Sequence, residues 1–543
     1  MHLIFTEQKH TLVKYFNQLL IFSLIIITAS CARRGRPEGG PKDETAPIMV
    51  TAKPPYESIN FKDNTIKIYF DEYIVLKDLQ KQLVVSPPMK NPPLISPQGT
   101  PSKYISIKIL DTLKPNTTYT FNFGNAVQDN NENNKLESFK YVFSTGSYID
   151  SLTVKGSVSD AFKKKTEKSV NVLLYRLDST YNDSIIYKQK PDYITSTLDS
   201  TLFTITNVKE GKYVLLALKE QASDFIFNSK TDKIGFLSDT IILPKDSIIT
   251  KPVQLFKEIQ PFKFKRGKEV SKGKIQFGFE GKQENLSVTL LSKTPKDFKS
   301  FTQLEKDKDT LNYWFSNIEA DSLNFKVSQQ KFVDTVTVYL RKKKVDSIAV
   351  SSTISSTLHL NDTLFLTTNN PITSIDETKF SLVDKDTVAV DYKLQKLNIN
   401  KLAVLFEKTY KNKYKLNVLP KAITDVYETS NDSLNYNFNT LHPEDYGSII
   451  LDVKNEENKP VIIQLVQRDK VFKTAYTSTS EKIEFNLLEP KEYSVRAIID
   501  ENNNKQWDTG NFLQRIQPEK VIYLDTKFKL RSNWVVPADL IIK

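Results

Sequence analysis

The sequence predicts an all-β protein in which several β-sandwiches follow one another along the chain. Apolar and polar residues alternate in many short segments, turn-forming clusters separate these segments, and two different stretches recur further along. Alternation with a period of two is typical of strands with one face in a core and one in water. Short strands at regular spacing favour β-sandwiches. No long stretch has the 3.6-residue period of an amphipathic helix.

The N-terminus carries the features of a secretory signal peptide. Lys9 and Lys14 precede an apolar run that ends in two small residues, directly before the only cysteine of the chain, Cys31. A basic head, a short apolar run and a small-residue cleavage site are typical of such signals. The run is shorter than the roughly 20 residues that span a bilayer. We therefore predict that residues 1–30 are a signal peptide.

The position of Cys31 resembles a bacterial lipobox. The resemblance implies cleavage before Cys31 and attachment of lipid to its sulfur and amine; the alternative is an ordinary signal peptide with an incidental cysteine. Two or more acyl chains anchor a protein stably to a membrane. Residues 31–44 contain almost no apolar side chains. They are predicted to be a flexible tether with a span of about 20 Å.

The charge of the chain excludes some classes of function. There are 76 Lys and Arg against 64 Asp and Glu, a net charge of +12, and both signs are interleaved along the sequence. A nucleic-acid-binding protein is expected to cluster its basic residues on one face together with aromatic side chains. We therefore expect no nucleic-acid partner. No cysteine remains after Cys31 for an internal disulfide, so core burial must stabilise each domain.

Two internal repeats indicate the domain organisation. Residues 113–145 recur as 410–440, and residues 203–217 recur as 485–497. The order is thus first repeat, second repeat, an unassigned β-rich stretch, and then both repeats again. Domains in tandem arrays of this kind usually meet at small polar junctions, so we expect modest bending between them.

Specific segments resemble known domain families. Residues 45–146 resemble a bacterial Ig-like domain of the S-layer-associated type, and residues 346–441 look like a diverged second copy. The segments that carry this resemblance are Ile66-Lys-Ile-Tyr-Phe-Asp-Glu72, Leu113-Lys-Pro-Asn-Thr-Thr-Tyr119 and Phe143-Ser-Thr-Gly146. Residues 150–256 and 446–543 resemble transthyretin-like or carboxypeptidase-regulatory-like sandwiches, through Val154-Lys-Gly-Ser-Val-Ser-Asp160 and Gly211-Lys-Tyr213. Residues 258–345 are predicted to be a further β-rich sandwich.

Taken together, the chain resembles the Ig-like-domain outer-membrane lipoproteins of Bacteroidetes. The resemblance implies a non-catalytic, lipid-anchored cell-envelope protein. The leading expectation is that it is an accessory subunit of an outer-membrane complex for assembly, export or uptake. Its expected partner is a barrel or another envelope protein. Exposure at the cell surface is favoured over the periplasmic face. The alternatives are a glycan- or surface-binding adhesin, with or without calcium, and a cell-envelope hydrolase.

The residues needed for catalysis are sparse. Only His359 and His442 follow the signal peptide, and no Gly-x-Ser-x-Gly, phosphate-loop or dinucleotide motif occurs. Zinc sites use three or four His, Cys or carboxylate ligands, and nucleophilic triads need a histidine beside the nucleophile. A pair of carboxylates for hydrolysis stays open, because the chain has 64 acidic residues. We expect no enzymatic activity, no catalytic residues and no required cofactor.

One stretch resembles a metal-binding loop. Asp500, Asn502, Asn504 and Asp508 alternate oxygen-bearing side chains within a turn, as a calcium loop requires. Lys505 stands where an EF-hand loop has glycine, and its charge is expected to repel a cation. We predict weak Ca²⁺ binding at most; the alternative is a plain Asn- and Asp-rich hairpin turn.

A second, similar set of oxygen ligands is equally incomplete. It consists of Asp129, Asn131, Asn133 and Glu137. Here too the alternative is a hairpin turn, because Asn tolerates the left-handed backbone conformation. Trp507 is expected to pack against its own sandwich; an exposed tryptophan could stack on a sugar ring.

Overall fold

Strands dominate the computed structural model, which describes residues 42–305, 308–316, 318–341, 343–354 and 356–542. The all-β fold class is confirmed. No helix in these ranges is long and apolar enough to cross a membrane. The chain divides into two compact units. The first holds the described residues up to Leu83 with Asn91–Thr112 and Asn122–Val142, and the second holds Val84–Lys90, Leu113–Phe121 and the chain from Phe143 onward.

The first unit is built on a sheet in the order β1-β2-β5-β4, with β7 paired to β2. In β2, the buried Ile66, Ile68 and Phe70 alternate with the exposed Lys67, as the period of two predicts. Strands β3, β6 and β8 form a separate sheet, and β3 belongs to the second unit. The elements are β1 (Met49–Lys53), β2 (Thr65–Leu76), α1 (Leu79–Gln82), β3 (Val84–Ser86), β4 (Leu94–Ser96), β5 (Ser102–Lys108), β6 (Thr118–Gly124), β7 (Val127–Asp129) and β8 (Phe139–Ser144).

The next segment forms two sheets that share one core. One has the order β11-β10-β13-β14 with β15 on β13, and the other has the order β12-β9-β16, in which β16 runs parallel to β9. Val154, Leu174 and Tyr213 meet in the core. The elements are β9 (Leu152–Asp160), β10 (Asn171–Arg176), a 3₁₀ helix (Asp183–Tyr187), β11 (Tyr193–Ser196), β12 (Leu202–Val208), β13 (Gly211–Lys219), β14 (Lys233–Phe236), β15 (Ile241–Leu243) and β16 (Val253–Leu255).

The unassigned stretch also folds into two sheets, β17-β18-β21-β20 and β19-β22-β23. Its core is aromatic: the ring of Phe325 lies 5.1 Å from those of Phe277 and Tyr313, measured between centroids. The strands are β17 (Lys263–Ser271), β18 (Lys274–Glu280), β19 (Ser287–Leu290), β20 (Ser300–Leu304), β21 (Thr310–Phe315), β22 (Ser322–Gln329) and β23 (Phe332–Tyr339).

The following segment repeats the strand order found near the N-terminus. Its sheets are β24-β25-β29-β28, the pair β26-β31, and β27-β30-β32. The elements are β24 (Val350–Ser352), β25 (Leu364–Thr368), β26 (Ile372–Ile375), a 3₁₀ helix (Glu377–Lys379), β27 (Phe380–Val383), β28 (Tyr392–Asn398), β29 (Lys401–Phe406), β30 (Lys413–Val418), β31 (Ile423–Asp425) and β32 (Leu434–Asn439).

The last segment has the topology of residues 152–255. Its sheets are β35-β34-β37-β38, with β39 on β37, and β36-β33-β40, in which β40 runs parallel to β33. The elements are a 3₁₀ helix (Pro443–Asp445), β33 (Gly447–Asn455), β34 (Val461–Gln467), β35 (Lys470–Thr477), β36 (Glu481–Leu488), β37 (Glu492–Ile499), β38 (Val521–Tyr523), β39 (Phe528–Lys529) and β40 (Val535–Ile542). Each copy of the second repeat therefore contains one sheet closed by a parallel strand.

Side-chain hydrogen bonds recur along with the strand order in the first repeat. The hydroxyl of Tyr119 accepts the backbone N–H of Lys114 at 2.9 Å, and the hydroxyl of Tyr414 accepts that of Thr409 at 2.8 Å. Each bond fixes the turn that leads into the tyrosine's own strand. The two copies thus use the same side chain for the same structural purpose.

The second repeat contains an equivalent pair. The hydroxyl of Tyr213 donates to the carbonyl of Lys209 at 3.0 Å, and that of Tyr493 donates to the carbonyl of Glu489 at 3.1 Å. Both tyrosines are almost fully buried, and a buried hydroxyl needs such a partner. These equivalent bonds identify which residues correspond in the two copies.

Candidate functional site

The loop that follows β37 contains the predicted calcium ligands, and Asp500 is its structural centre. The Asp500 side chain is only 1% exposed. Its Oδ1 accepts the backbone N–H of Asn504 at 3.0 Å, and its Oδ2 accepts that of Lys505 at 2.8 Å. Both carboxylate oxygens therefore stabilise the turn. The sequence indicates an oxygen-lined loop here, and the structure assigns Asp500 to holding its backbone.

The other three predicted ligands lie together. The side-chain amides of Asn502 and Asn504 donate to Oδ2 of Asp508 at 2.6 Å and 2.7 Å. The amide groups therefore present N–H donors to the carboxylate, and a cation would require them to turn over. Within the described ranges, no three acidic, His or Cys side chains are grouped as a metal site would need.

Lys505, which is expected to repel a cation in this loop, lies over an aromatic ring. Its Nζ is 5.4 Å from the ring centroid of Tyr476 on β35. A lysine over a tyrosine ring is held by a cation–π interaction of about 0.5–1 kcal/mol at an exposed site. The ammonium group therefore has a partner outside the ligand set.

Glu519 supports the same loop, although no sequence motif marks it. Its two carboxylate oxygens accept the backbone N–H groups of Glu501 and Asp508, each at 2.9 Å. Burial raises the pKa of Glu519, while these two hydrogen bonds act in the opposite direction. A single glutamate before a strand carries no sequence signal for this role, because its partners are backbone groups.

Residues 509–517, which we call the docking loop, continue from this turn and pack on the sandwich of residues 152–255. Phe512 is fully buried. Its ring meets that of Phe236 edge-on, with the centroids 5.4 Å apart. Gly510 is required at its position, because an added Cβ would lie 2.7 Å from Cζ of Phe256. The docking loop thus places an aromatic side chain in the other sandwich's outer cluster.

Polar contacts frame Phe512 on both sides. Its backbone N–H donates to Oε1 of Glu258 at 2.7 Å, and the hydroxyl of Thr509 donates to the carbonyl of Lys257 at 2.8 Å. Arg515 pairs with Asp183, and its guanidinium lies 4.6 Å from the ring centroid of Phe512. This junction is aromatic and well bonded, in contrast to the small polar junctions that the sequence analysis expects.

Trp507 contacts both sandwiches. Its indole N–H donates to the carbonyl of Glu519 at 3.0 Å, and its ring lies 4.6 Å from that of Phe162. Arg496 covers the ring of Phe162, 4.0 Å from its centroid. Trp507 therefore packs on its own sandwich, as expected, and also on the other copy.

The second predicted ligand set, near Asp129, is also a backbone-holding turn. Oδ1 of Asp129 accepts the N–H groups of Asn131, Glu132 and Asn133, and Oδ2 accepts that of Asn134. Glu137 takes no part in these bonds. Burial opposes ionisation of Asp129, but the backbone hydrogen bonds outweigh it and lower the pKa of this carboxyl.

The two histidines lie where the last two sandwiches join. Nδ1 of His359 is 3.1 Å from the hydroxyl of Tyr446, and its Nε2 is 3.4 Å from Oε1 of Glu489. His442 caps the 3₁₀ helix that follows it by accepting the N–H of Glu444 at 3.3 Å. Both histidines thus make structural contacts at this junction. The predicted lipidation site, Cys31, lies outside the described residues.

Comparison with known proteins bears on the fold. Residues 43–145 match the family described as Bacterial Ig-like domain, which confirms the Ig-like resemblance for this part of the chain. A comparison with curated protein sequences finds no match.

Several solved structures are similar to the chain at low sequence identity. Surface layer protein SbsC, domains 1–6, is 11% identical with a TM-score of 0.16, covering 90% of this chain and 68% of that one. The Bacillus anthracis TIE protein is 10% identical with a TM-score of 0.14, covering 93% and 76%. A Bacteroides ovatus glucan-utilisation protein, SGBP-B in complex with a heptasaccharide, is 10% identical with a TM-score of 0.18, covering 68% and 89%. At these identities and TM-scores, the likeness carries no conclusion about this chain.

Proposed function

We propose that the protein is a non-catalytic, lipid-anchored subunit of an outer-membrane protein complex, and that it presents fixed binding surfaces to its partners. In this proposal residues 150–256 and 446–543 are transthyretin-like modules, and Cys31 carries the lipid. The protein lies on the outer membrane, with the cell-surface face favoured over the periplasmic face. Assembly, export or uptake machinery, with a barrel component, is the expected partner.

The docking loop is the observation that best supports this proposal. Phe512 is buried against Phe236, and Glu258 and Arg515 add polar contacts on either side. Two modules that are distant in sequence thereby hold each other in one arrangement. Such a contact suits a protein that positions surfaces, because a flexible string of domains would lose entropy when it binds.

The use of the buried carboxylates also supports a structural role. Asp129, Asp500 and Glu519 each accept backbone N–H groups. Asp425, in the second copy of the first repeat, does the same with the N–H groups of Tyr427 and Thr429, each at 2.9 Å. A carboxylate used in this way is held by its loop and is poorly placed for proton transfer to a substrate.

Affinity purification from detergent-solubilised outer membranes tests the proposal. We expect a stoichiometric envelope partner with the wild type, and release from the membrane or stalled processing with Cys31→Ala. A wild-type protein found entirely in the soluble periplasmic fraction would rule out the lipid anchor. If the protein is recovered from the solubilised membranes without any partner, the subunit role is ruled out.

The alternative of a glycan-binding adhesin has one specific observation in its favour. On the sheet of the first unit, Tyr69 and Tyr104 are paired across β2 and β5 with their rings 5.7 Å apart. Tyr73 and Tyr104 are exposed, and exposed aromatic rings can stack on sugars. Retention of the purified protein on immobilised envelope glycan, lost in a Tyr69→Ala, Tyr104→Ala double variant, would favour this function.

A further inference from the structure

Strand β35 forms an open edge of the last sandwich. It is the outermost strand in the order β35-β34-β37-β38, and no strand in the described part of the chain pairs with its outer side. Val471, Phe472 and Tyr476 are 45%, 41% and 52% exposed. An edge strand presents unpaired N–H and C=O groups, and natural proteins usually cover or protect such an edge.

The repeat identifies the counterpart of β35 in the earlier copy as β11. Ile194 on β11 pairs with Leu173, which in turn pairs with Leu216. In the last sandwich, Thr474 pairs with Gln464, which pairs with Arg496. Leu216 and Arg496 are each three residues after the equivalent tyrosines, 213 and 493. Thr474 therefore occupies the position of Ile194.

In the earlier copy this edge is covered by the chain itself. The backbone N–H of Ile194 donates to Oγ of Ser86 at 3.1 Å, which shows that this N–H points away from the sheet. Nζ of Lys190 donates to the carbonyl of Met89 at 2.7 Å. Val84 packs in the same apolar cluster as Ile194. The segment Val84–Lys90 thus covers β11, and Ile194 is only 3% exposed.

The corresponding segment of the later copy turns back on itself. By its place in the sheet order, β27 corresponds to β3. After β27, Oδ1 of Asp384 accepts the N–H groups of Asp386 and Val388, each at 2.9 Å. Ala389 then forms a bridge with Val383. The chain that covers the edge in the first copy is therefore folded into a tight turn in the second.

The charges around β35 indicate what could bind there. Lys470 and Lys473 lie on the strand, which has no acidic residue between positions 470 and 477. Arg468 and Asp469 precede it, and Lys505 lies over Tyr476. Four basic residues therefore stand against one acidic residue at this edge. A second copy of the chain pairing through β35 would bring these basic residues against one another, which is unfavourable across strands. An acidic strand would meet opposite charges.

We propose that β35 is a docking edge for an extended, acidic segment of a partner protein, which adds to the sheet as a further strand. Main-chain hydrogen bonds supply affinity in this mode, and alternate side chains supply specificity. The proposal deepens the subunit function proposed above and rests on it, since it names the surface that the partner uses.

A peptide-binding measurement on the full chain in detergent tests the edge directly. The probe is a fluorescein-labelled ten-residue peptide that alternates Glu with Val and Thr; the control peptide carries Lys in place of Glu. Fluorescence anisotropy should show at least tenfold tighter binding of the acidic peptide. Equal binding of the two peptides, or none of either, would overturn the proposal.

Two variants locate the binding. By its equivalence to Ile194, Thr474 has a backbone N–H that points away from the sheet, and Thr474→Pro removes this donor. We expect at least a tenfold loss of affinity for the acidic peptide, with the sandwich still folded. Lys470→Glu reverses one charge and should weaken binding several-fold, while the control Lys326→Glu, an exposed lysine on β22, should leave it unchanged. If Thr474→Pro does not fold, the effect of Lys470→Glu on peptide binding decides the test. Unchanged binding in the folded variants would overturn the proposal.

Photo-crosslinking in cells shows separately whether the β35 proposal fails and whether the proposed subunit function fails. With p-benzoylphenylalanine in place of Tyr476, we expect crosslinks to one short acidic segment of a co-purifying envelope protein. Crosslinks to a second copy of the chain would overturn the acidic-partner proposal. A partner that co-purifies but crosslinks only elsewhere would overturn the β35 assignment and leave the subunit role intact. Absence of any co-purifying partner would instead count against the subunit role.

Discussion

The backbone N–H of Phe512 donates to Oε1 of Glu258 at 2.7 Å across a sequence separation of 254 residues. The phenylalanine ring beyond this bond is fully buried against Phe236. One residue of a loop therefore joins two modules that the sequence places far apart.

The first prediction concerns this ring. Phe512→Ala should destabilise the docked arrangement by about 3–5 kcal/mol, the usual loss for a buried phenylalanine. Spin labels placed on the two sandwiches should show a broadened distance distribution, and trypsin should cut the docking loop faster. The control is Leu513→Ala: Leu513 is 53% exposed, and surface changes usually stay within about 0.5 kcal/mol. Equal effects of the two variants would contradict the docking role of Phe512.

A second prediction uses pH. Burial raises the pKa of Glu258 above its ordinary value of 4.5, and the N–H of Phe512 partly offsets this effect. The stability from this group is therefore complete below about pH 4.5 and is lost as the pH rises through the folded pKa. Glu258→Gln keeps an oxygen acceptor and removes the buried charge. The variant should melt higher than wild type at pH 7, and the difference should shrink toward pH 4.

A lower melting temperature for Glu258→Gln at pH 7 would mean that the charge itself strengthens the bond to Phe512. Asp539→Asn is a suitable control, because Asp539 is exposed on β40 and pairs with Lys454, not with the docking loop. Its melting temperature should not depend on pH in this way.

The third prediction concerns Asp129, whose contribution to stability changes with pH in the opposite direction to that of Glu258. The pKa of Asp129 is lowered because its backbone hydrogen bonds outweigh burial. Its stabilising contribution is present above about pH 3.8 and is lost as the pH falls through the folded pKa. Asp129→Asn should cost about 1–3 kcal/mol at pH 7, because buried N–H groups lose an acceptor. The cost should shrink as the pH falls through the folded pKa.

Chemical denaturation of the full chain at pH 7 and at successively lower pH values would measure this cost. Glu137→Gln is the matched control, since Glu137 belongs to the same predicted ligand set and is exposed. If the two variants lose equal stability, the turn does not depend on the Asp129 carboxylate.

The fourth prediction tests the calcium loop. We expect a dissociation constant of about 10⁻⁴–10⁻³ M, as in extracellular modules, so calcium at ten times that value would add only about 1.4 kcal/mol. Asp508→Asn should abolish the small shift in melting temperature. Asp500→Ala is unsuitable alone, because it also removes the acceptor for Asn504 and Lys505.

Titration calorimetry gives the direct answer, with Glu501→Gln as an exposed control in the same loop. An absence of heat in the wild type would identify the loop as a plain turn. Micromolar binding would show that the amides of Asn502 and Asn504 turn over readily and that the site is stronger than expected.

Much of the fold could be predicted from local patterns. Alternation in segments such as Ile66–Phe70 identifies strands, because side chains on a strand point to opposite faces. The recurrence of Tyr213 as Tyr493 identifies the second repeat, and the structure shows the same hydrogen bond in both copies. These features depend on residues close in sequence, and a single sequence displays them directly.

The docking loop and its supports could not be predicted in this way. Phe512 lies in a loop, and its residue type alone does not distinguish an exposed aromatic from one buried in a distant module. Glu519 acts through backbone partners, which any sequence supplies. The position of Lys505 over Tyr476 could not be predicted either, because Tyr476 lies on a strand that no local pattern connects to Lys505.

The late arrival of Phe512 has a consequence for biogenesis. The sandwich of residues 152–255 emerges from the ribosome well before the docking loop, because Glu258 and its partner Phe512 are 254 positions apart in the sequence. Until then Phe236 and Phe256 lack the aromatic cover that buries them in the finished protein. Exposed aromatic surface on a partly made chain attracts chaperones and invites aggregation. Holdase chaperones are therefore expected to bind this surface on a nascent chain truncated before residue 509 and to release it once the C-terminal module is complete.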